Sequence, residues 1–100
     1  MNVVYKTPQQ LASVLIPIFE EYKINKAVLF GSYAKGSATS DSDVDLLVDS
    51  GLRGLKFVGL IQSISDALKL PIDLFDVSHI ETNSPIRDEI ESTGVVIYEK

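Results

Sequence analysis

From Thr7 onward the apolar positions Leu11, Val14, Leu15, Ile18, Phe19 and Tyr22 recur at i, i+3, i+4, i+7, i+8 and i+11, the stripe an amphipathic helix lays along one face. Thr7 supplies a side-chain acceptor for the first turn, and Pro8 stands where a missing N–H loses nothing, so the helix is expected to begin there. Pro17 falls inside it and predicts a kink, because one backbone hydrogen bond is removed. Next, the apolar run Lys26–Phe30 is cut off by Gly31 and reads as a buried strand, and Asp43–Val48 reads as a second. Between them lies GSYAKGSATSDS, rich in Gly and Ser. After a turn at Ser50 and Gly51, the positions Leu55, Phe57, Val58, Leu60, Ile61, Ile64 and Leu68 mark a second helix. It should end before Pro71, which disfavours helical geometry at Leu70. Pro71–Asp76 is expected to be a third strand, Ser84–Ser92 a short polar helix and Gly94–Tyr98 a closing strand. The predicted order is α-β-β-α-β-α-β, without internal repeat or linker.

Composition sets the scale of what this order can build. One hundred residues, 45% hydrophobic and 23% charged, describe one globular domain over residues 1–100. A chain of this length buries roughly 60 to 65% of its unfolded surface, enough for one site but not for a deep two-domain cleft. The absence of cysteine excludes disulfides, thiolate zinc sites and cysteine nucleophiles. The N-terminal sequence MNVVYKTPQQ has no charged segment followed by an apolar run, and no stretch approaches the roughly 18 apolar residues of a membrane span, so a cytoplasmic protein is expected. Charge is uneven: residues 1–40 carry four Lys and two Glu, for +2, and residues 41–100 carry five basic and twelve acidic groups, for −7. An acidic chain of pI near 4.6 is also poorly suited to nonspecific nucleic-acid binding.

The candidate chemistry lies in the acidic half. On a strand Asp43 and Asp45 project to one face with Cα atoms roughly 7 Å apart, while Val44, Leu46 and Val48 point the other way. Two carboxylates so placed can share divalent ions, and paired metals are what an in-line phosphoryl or nucleotidyl displacement uses to hold its entering and leaving oxygens. Asp73, between Ile72 and Leu74, joins the same acidic face if its strand pairs beside the second. Taken alone, a D-x-D pair is weak and fits a solvated strand end better. The loop before it adds weight: Gly31 lets backbone approach a phosphate closely, and N–H groups of a helical turn with the Ser32 hydroxyl can donate to phosphate oxygens. Lys35 can add a cation there or stand exposed.

Other motifs fail on inspection. Gly31 to Gly36 has the glycine spacing of a P-loop, but Ser37-Ala38 replaces the required Lys-Ser/Thr. Asp41, Asp43 and Asp45 imitate the first ligands of an EF-hand, yet Leu46 replaces the turn glycine and Leu52 the bidentate glutamate. His79 fits a surface or helix-entry position. Asp41, Asp49 and Asp76 are expected to cap turns or face solvent, and Arg87–Glu91 to form a solvated helix face.

Gly31-Ser32, ten residues, then Asp43-x-Asp45 and a third acidic position in PIDLF resembles the nucleotidyltransferases of the DNA polymerase β superfamily. Within that superfamily nearly the whole chain is similar to the minimal nucleotidyltransferase (MNT) proteins, whose Gly-Ser, helical turn, Gly, Ser-Asp-x-Asp-Leu pattern stands here as GSYAKGSATSDSDVDLLV. Lys35 departs from the arginine of many relatives, keeping the charge but losing the planar bidentate fork. The resemblance implies an α+β fold, a mixed sheet of three to four strands packed with helices. It implies that Asp43, Asp45 and Asp73 are catalytic and hold two Mg²⁺, that Gly31, Ser32, Lys35 and Ser42 contact the nucleotide, and that ATP is the substrate. It further implies an antitoxin that transfers AMP to a tyrosine of a partner HEPN ribonuclease toxin, with acceptor recognition supplied by that partner. The alternatives are neutralisation by binding alone, or transfer to a small molecule or an RNA end.

Overall fold

The computed structural model describes residues 7–37, 42–79 and 85–100. Helix α1 (Pro8–Glu21) opens with a reciprocal cap: Thr7 Oγ1 accepts the Gln10 N–H at 3.2 Å, and Gln10 Oε1 accepts the Thr7 N–H at 3.3 Å. This pair satisfies two donors that a helix start otherwise leaves open. The helix continues through Pro17, whose ring lies on the exposed side, while Leu11, Leu15 and Phe19 are buried. Strand β1 (Lys26–Phe30) follows, then a single-turn helix α2 (Ser32–Lys35), β2 (Val44–Asp49), α3 (Leu55–Leu68), β3 (Ile72–Asp76), a 3₁₀ turn at Val77–His79, α4 (Pro85–Thr93) and β4 (Val95–Glu99). The order expected from the sequence is kept; α2 is the helical turn expected after Gly31, and the 3₁₀ turn, too short to show a period, is added. His79, expected at a surface or helix entry, closes the 3₁₀ turn.

The strands form one four-stranded sheet in the order β3-β2-β1-β4. β1 pairs antiparallel with β2 and β4, whereas β2 and β3 run parallel. A parallel pair needs a long crossover, and α3 is that crossover. Alternation along β2 is complete: Val44, Leu46 and Val48 are fully buried beneath α1 and α3 with Ala27, Leu29, Leu60 and Ile64. Each such Val, Leu or Ile side chain contributes roughly 1.5–3 kcal/mol when fully withdrawn from water. Tyr22 Oη and Ser63 Oγ, 3.0 Å apart, tie α1 to α3 at the edge of this core.

Asp76, expected to cap a turn or face solvent, caps but is buried, with 3% exposure. Its carboxylate accepts the Ser50 N–H at 3.0 Å and hydroxyl at 2.6 Å, and the Ser78 N–H at 3.0 Å and hydroxyl at 2.7 Å. Burial alone would raise its pKa, but the Ser50 and Ser78 donors outweigh it and hold the carboxyl at about 2. The clasp fastens the residue after β2 to the end of β3, and so fixes the register of the two strands that carry the acidic site. Asp49 is half-buried at the end of β2, and Asp41 lies outside the described residues.

Candidate active site

The face of the sheet opposite α1 and α3 carries Asp45 on β2 and Asp73 on β3. The parallel register places Asp45 directly beside Asp73, and the antiparallel register places Phe30 of β1 on its other side. Phe30 and Phe75 approach with ring centroids 6.1 Å apart on this face, an apolar patch beside the acids. Asp43 stands exposed, one residue ahead of β2, so the strand begins at Val44 rather than at Asp43. Burial, then repulsion from Asp73, Glu89 and Asp43, raises the Asp45 carboxyl to about 6, and a hydrogen bond to Asp73 adds to the effect. Of the three carboxylates expected to converge, Asp45 and Asp73 therefore touch, while Asp43 acts on Asp45 through its field. Among the described residues no three side chains are drawn into a ready-made metal-ligand cluster. The donor set still suits a hard divalent cation: it is all carboxylate oxygen, and a cation would offset the repulsion concentrated on Asp45.

The Gly-Ser turn abuts this pair. Gly31 sits between β1 and α2 with φ 77° and ψ −153°, a region that side-chain-bearing residues essentially never occupy. A Cβ at Gly31 would also collide with Asp45 Oδ2, so glycine meets a backbone need and makes room for the carboxyl. Its carbonyl accepts the N–H groups of Ala34 and Lys35, both at 3.1 Å, which closes α2. The Gly31 N–H donates to Thr93 Oγ1 at 3.2 Å. Of the other residues expected at the nucleotide, Ser32 opens α2 and is half-buried, Lys35 is exposed in its last residue, and Ser42 is half-buried ahead of Asp43.

Helix α4 supplies two groups that sequence reasoning did not find. Glu89 sends its charge toward Asp45, and Thr93 holds the Gly31 N–H. Glu89 belongs to the run expected to be solvated, and its neighbours behave so: Arg87 and Glu91 form an exposed i,i+4 pair at 3.2 Å. Only the packing of α4 against β1 separates Glu89 from them. No helix among the described residues is long and apolar enough to cross a membrane.

MJ0126 of Methanocaldococcus jannaschii, which bears the name of a protein adenylyltransferase, is 34% identical over 80 residues, covering 78% of this chain and 81% of its own. The protein adenylyltransferase MntA of Thermococcus cleftensis is 37% identical over 67 residues, covering 63% of this chain and 66% of its own. Among solved structures, a toxin–antitoxin with AMP-PNP superposes with TM-score 0.75 at 24% identity, over 89% of this chain and 73% of the other. A complex of tri-AMPylated Shewanella oneidensis HEPN toxin with MNT antitoxin gives TM-score 0.70 at 21% identity, over 94% of this chain and 74% of the other. These two establish likeness of fold. Residues 14–100 match the polymerase beta nucleotidyltransferase family, and with the Gly-Ser turn set against paired strand aspartates, the chain belongs to that family.

Proposed function

We propose that this nucleotidyltransferase moves AMP from ATP to a tyrosine hydroxyl of a partner HEPN ribonuclease toxin and is thereby its antitoxin. The observation that carries the reading is Asp45 held beside Asp73 in parallel register, with the Gly31–Ser32 turn against the same carboxyl. The adenylyltransferase names of its relatives, and the HEPN toxin and AMP-PNP in structures of like fold, support the choice of acceptor and donor.

In the reaction the acceptor oxygen forms a bond to the α-phosphorus, the bond from that phosphorus to the bridging oxygen of pyrophosphate breaks, and pyrophosphate leaves. The attacking hydroxyl's proton passes to Asp73, the exposed carboxylate of the pair. Asp43, Asp45 and Asp73 would hold two Mg²⁺ ions, which when bound would neutralise the triphosphate and make the hydroxyl more acidic. The Gly31–Ser32 turn receives the β- and γ-phosphates, Ser32 through its hydroxyl, with Lys35 and Ser42 at the margin. A nucleotide added beside an RNA-cleaving site brings negative charge and bulk that oppose binding of RNA. The reaction takes place in the cytoplasm, where ATP and such a ribonuclease would meet.

The test is to incubate the protein with its HEPN partner, magnesium and ATP labelled at the α-phosphate. Label on the toxin is expected. It should disappear in the Asp43→Asn, Asp45→Asn double variant while circular dichroism shows the fold retained. Suppressed toxicity without label would reject transfer in favour of neutralisation by binding.

A further inference from the structure

Thr93 is the last residue of α4, and its hydroxyl has two engagements. It donates its only proton to the Glu89 carbonyl at 2.7 Å, the bond a threonine makes one turn back along its own helix. With that proton committed, Oγ1 can meet the Gly31 N–H only as an acceptor, and it does so at 3.2 Å across 62 residues of sequence. Gly31 needs such a restraint. Its backbone lies where glycine alone is comfortable, and glycine is the residue least able to hold one conformation by itself. The same residue abuts the Asp45 carboxyl, so the turn expected to receive the phosphates borders the acidic pair.

We infer that Thr93 is a positioning residue. Its hydroxyl clasps α4 to the Gly31–Ser32 turn and keeps that turn seated against Asp45, so that the triphosphate meets a site already formed. The inference rests on the transfer reaction proposed above. Thr93 touches no reacting atom, so its effect belongs to nucleotide binding rather than to the chemical step. The KM for ATP should move, and kcat and the KM for the toxin should not.

Thr93→Val keeps the shape and removes both bonds of the hydroxyl, to Gly31 and to the Glu89 carbonyl; Thr93→Ser keeps both. With saturating magnesium, Thr93→Val is expected to raise the KM for ATP about tenfold, the scale of one lost hydrogen bond, with kcat within about threefold of the parent. Thr93→Ser should return the KM to within about twofold. Partial unfolding would remove active enzyme and lower kcat, and would not raise the KM for ATP selectively. A second measurement is independent of catalysis and of ATP: the Gly31 amide should exchange with solvent about tenfold faster in Thr93→Val than in the parent or Thr93→Ser. An unchanged KM for ATP in the valine variant, a serine variant as impaired as valine, or equal exchange rates at Gly31 would each overturn the positioning role and leave the transfer reaction standing. Should the parent protein label no toxin while Gly31 exchange still follows Thr93, the transfer reading fails and the clasp is structural only.

Discussion

Alanine at Gly31 and alanine at Gly36 separate two effects that a glycine can have. Both residues have φ 77°, but Gly31 has ψ −153° and Gly36 has ψ 15°. At Gly36 a Cβ meets no described atom within 4 Å, so Gly36→Ala carries only the left-handed strain of roughly 1–2 kcal/mol. At Gly31 the backbone strain is about 1–3 kcal/mol. The collision with Asp45 Oδ2 adds to it, since the carboxyl must leave its rotamer, at about 0.5–1.5 kcal/mol. The expected total is about 2–4 kcal/mol, which a domain with roughly 5–15 kcal/mol of stability survives. For a domain of this length 1 kcal/mol moves Tm by about 4–8 °C, so Gly31→Ala should melt about 8–32 °C below the parent and Gly36→Ala about 4–16 °C below. Activity should divide the two more sharply. Shifting Asp45 by an ångström is expected to lower AMP transfer about a hundredfold, while Gly36→Ala stays within a few-fold at a temperature where both variants are folded. Urea unfolding and labelled-ATP transfer measure the two quantities on the same samples. Equal losses of stability and of transfer in the two variants would refute the packing of Gly31 against Asp45.

Asp45→Asn, assayed in EDTA, should raise Tm, because it removes a half-buried charge repelled by Asp73, Glu89 and Asp43; a lower Tm would contradict the crowding described. The Asp76 carboxyl, held at about 2 against 3.8 when unfolded, contributes about 2 kcal/mol of stability above pH 4, and this is lost as pH falls from 4 through 2. Asp76→Asn should therefore cost about 2 kcal/mol in urea unfolding at pH 7, with the gap to the parent closing near pH 2; a gap independent of pH would show that the charge is not what the Ser50 and Ser78 donors hold. Lys69 caps α3 at φ 55° and ψ 37°, the left-handed conformation in which glycine is unstrained. Lys69→Gly should add about 0.5–1 kcal/mol, read from the urea midpoint, and a loss would mean that the side chain makes a compensating contact.

Much of the site was legible because it is local. Gly31-Ser32 after an apolar run and Asp43-x-Asp45 within one are close in sequence, and the two-residue period of a strand already assigns Asp45 and Leu46 to opposite faces. Asp73 was legible only conditionally, since its side depended on β3 pairing beside β2. The 3₁₀ turn and the burial of Asp76 left no periodic trace. Glu89 and Thr93 were illegible, for they sit in a polar helix whose run of charges resembles any solvated face.

The pattern of apolar positions determines the helices, the strands and the inward face of β2, because those follow from periods of 3.6 and 2 that burial imposes on neighbouring residues. Only the tertiary structure decided that Asp45 would lie beside Asp73 and that α4 would reach Gly31 and Asp45. Those contacts join residues 28, 62 and 44 positions apart. They depend on strand order, a parallel crossover and the docking of one short helix, for which local sequence carries no period.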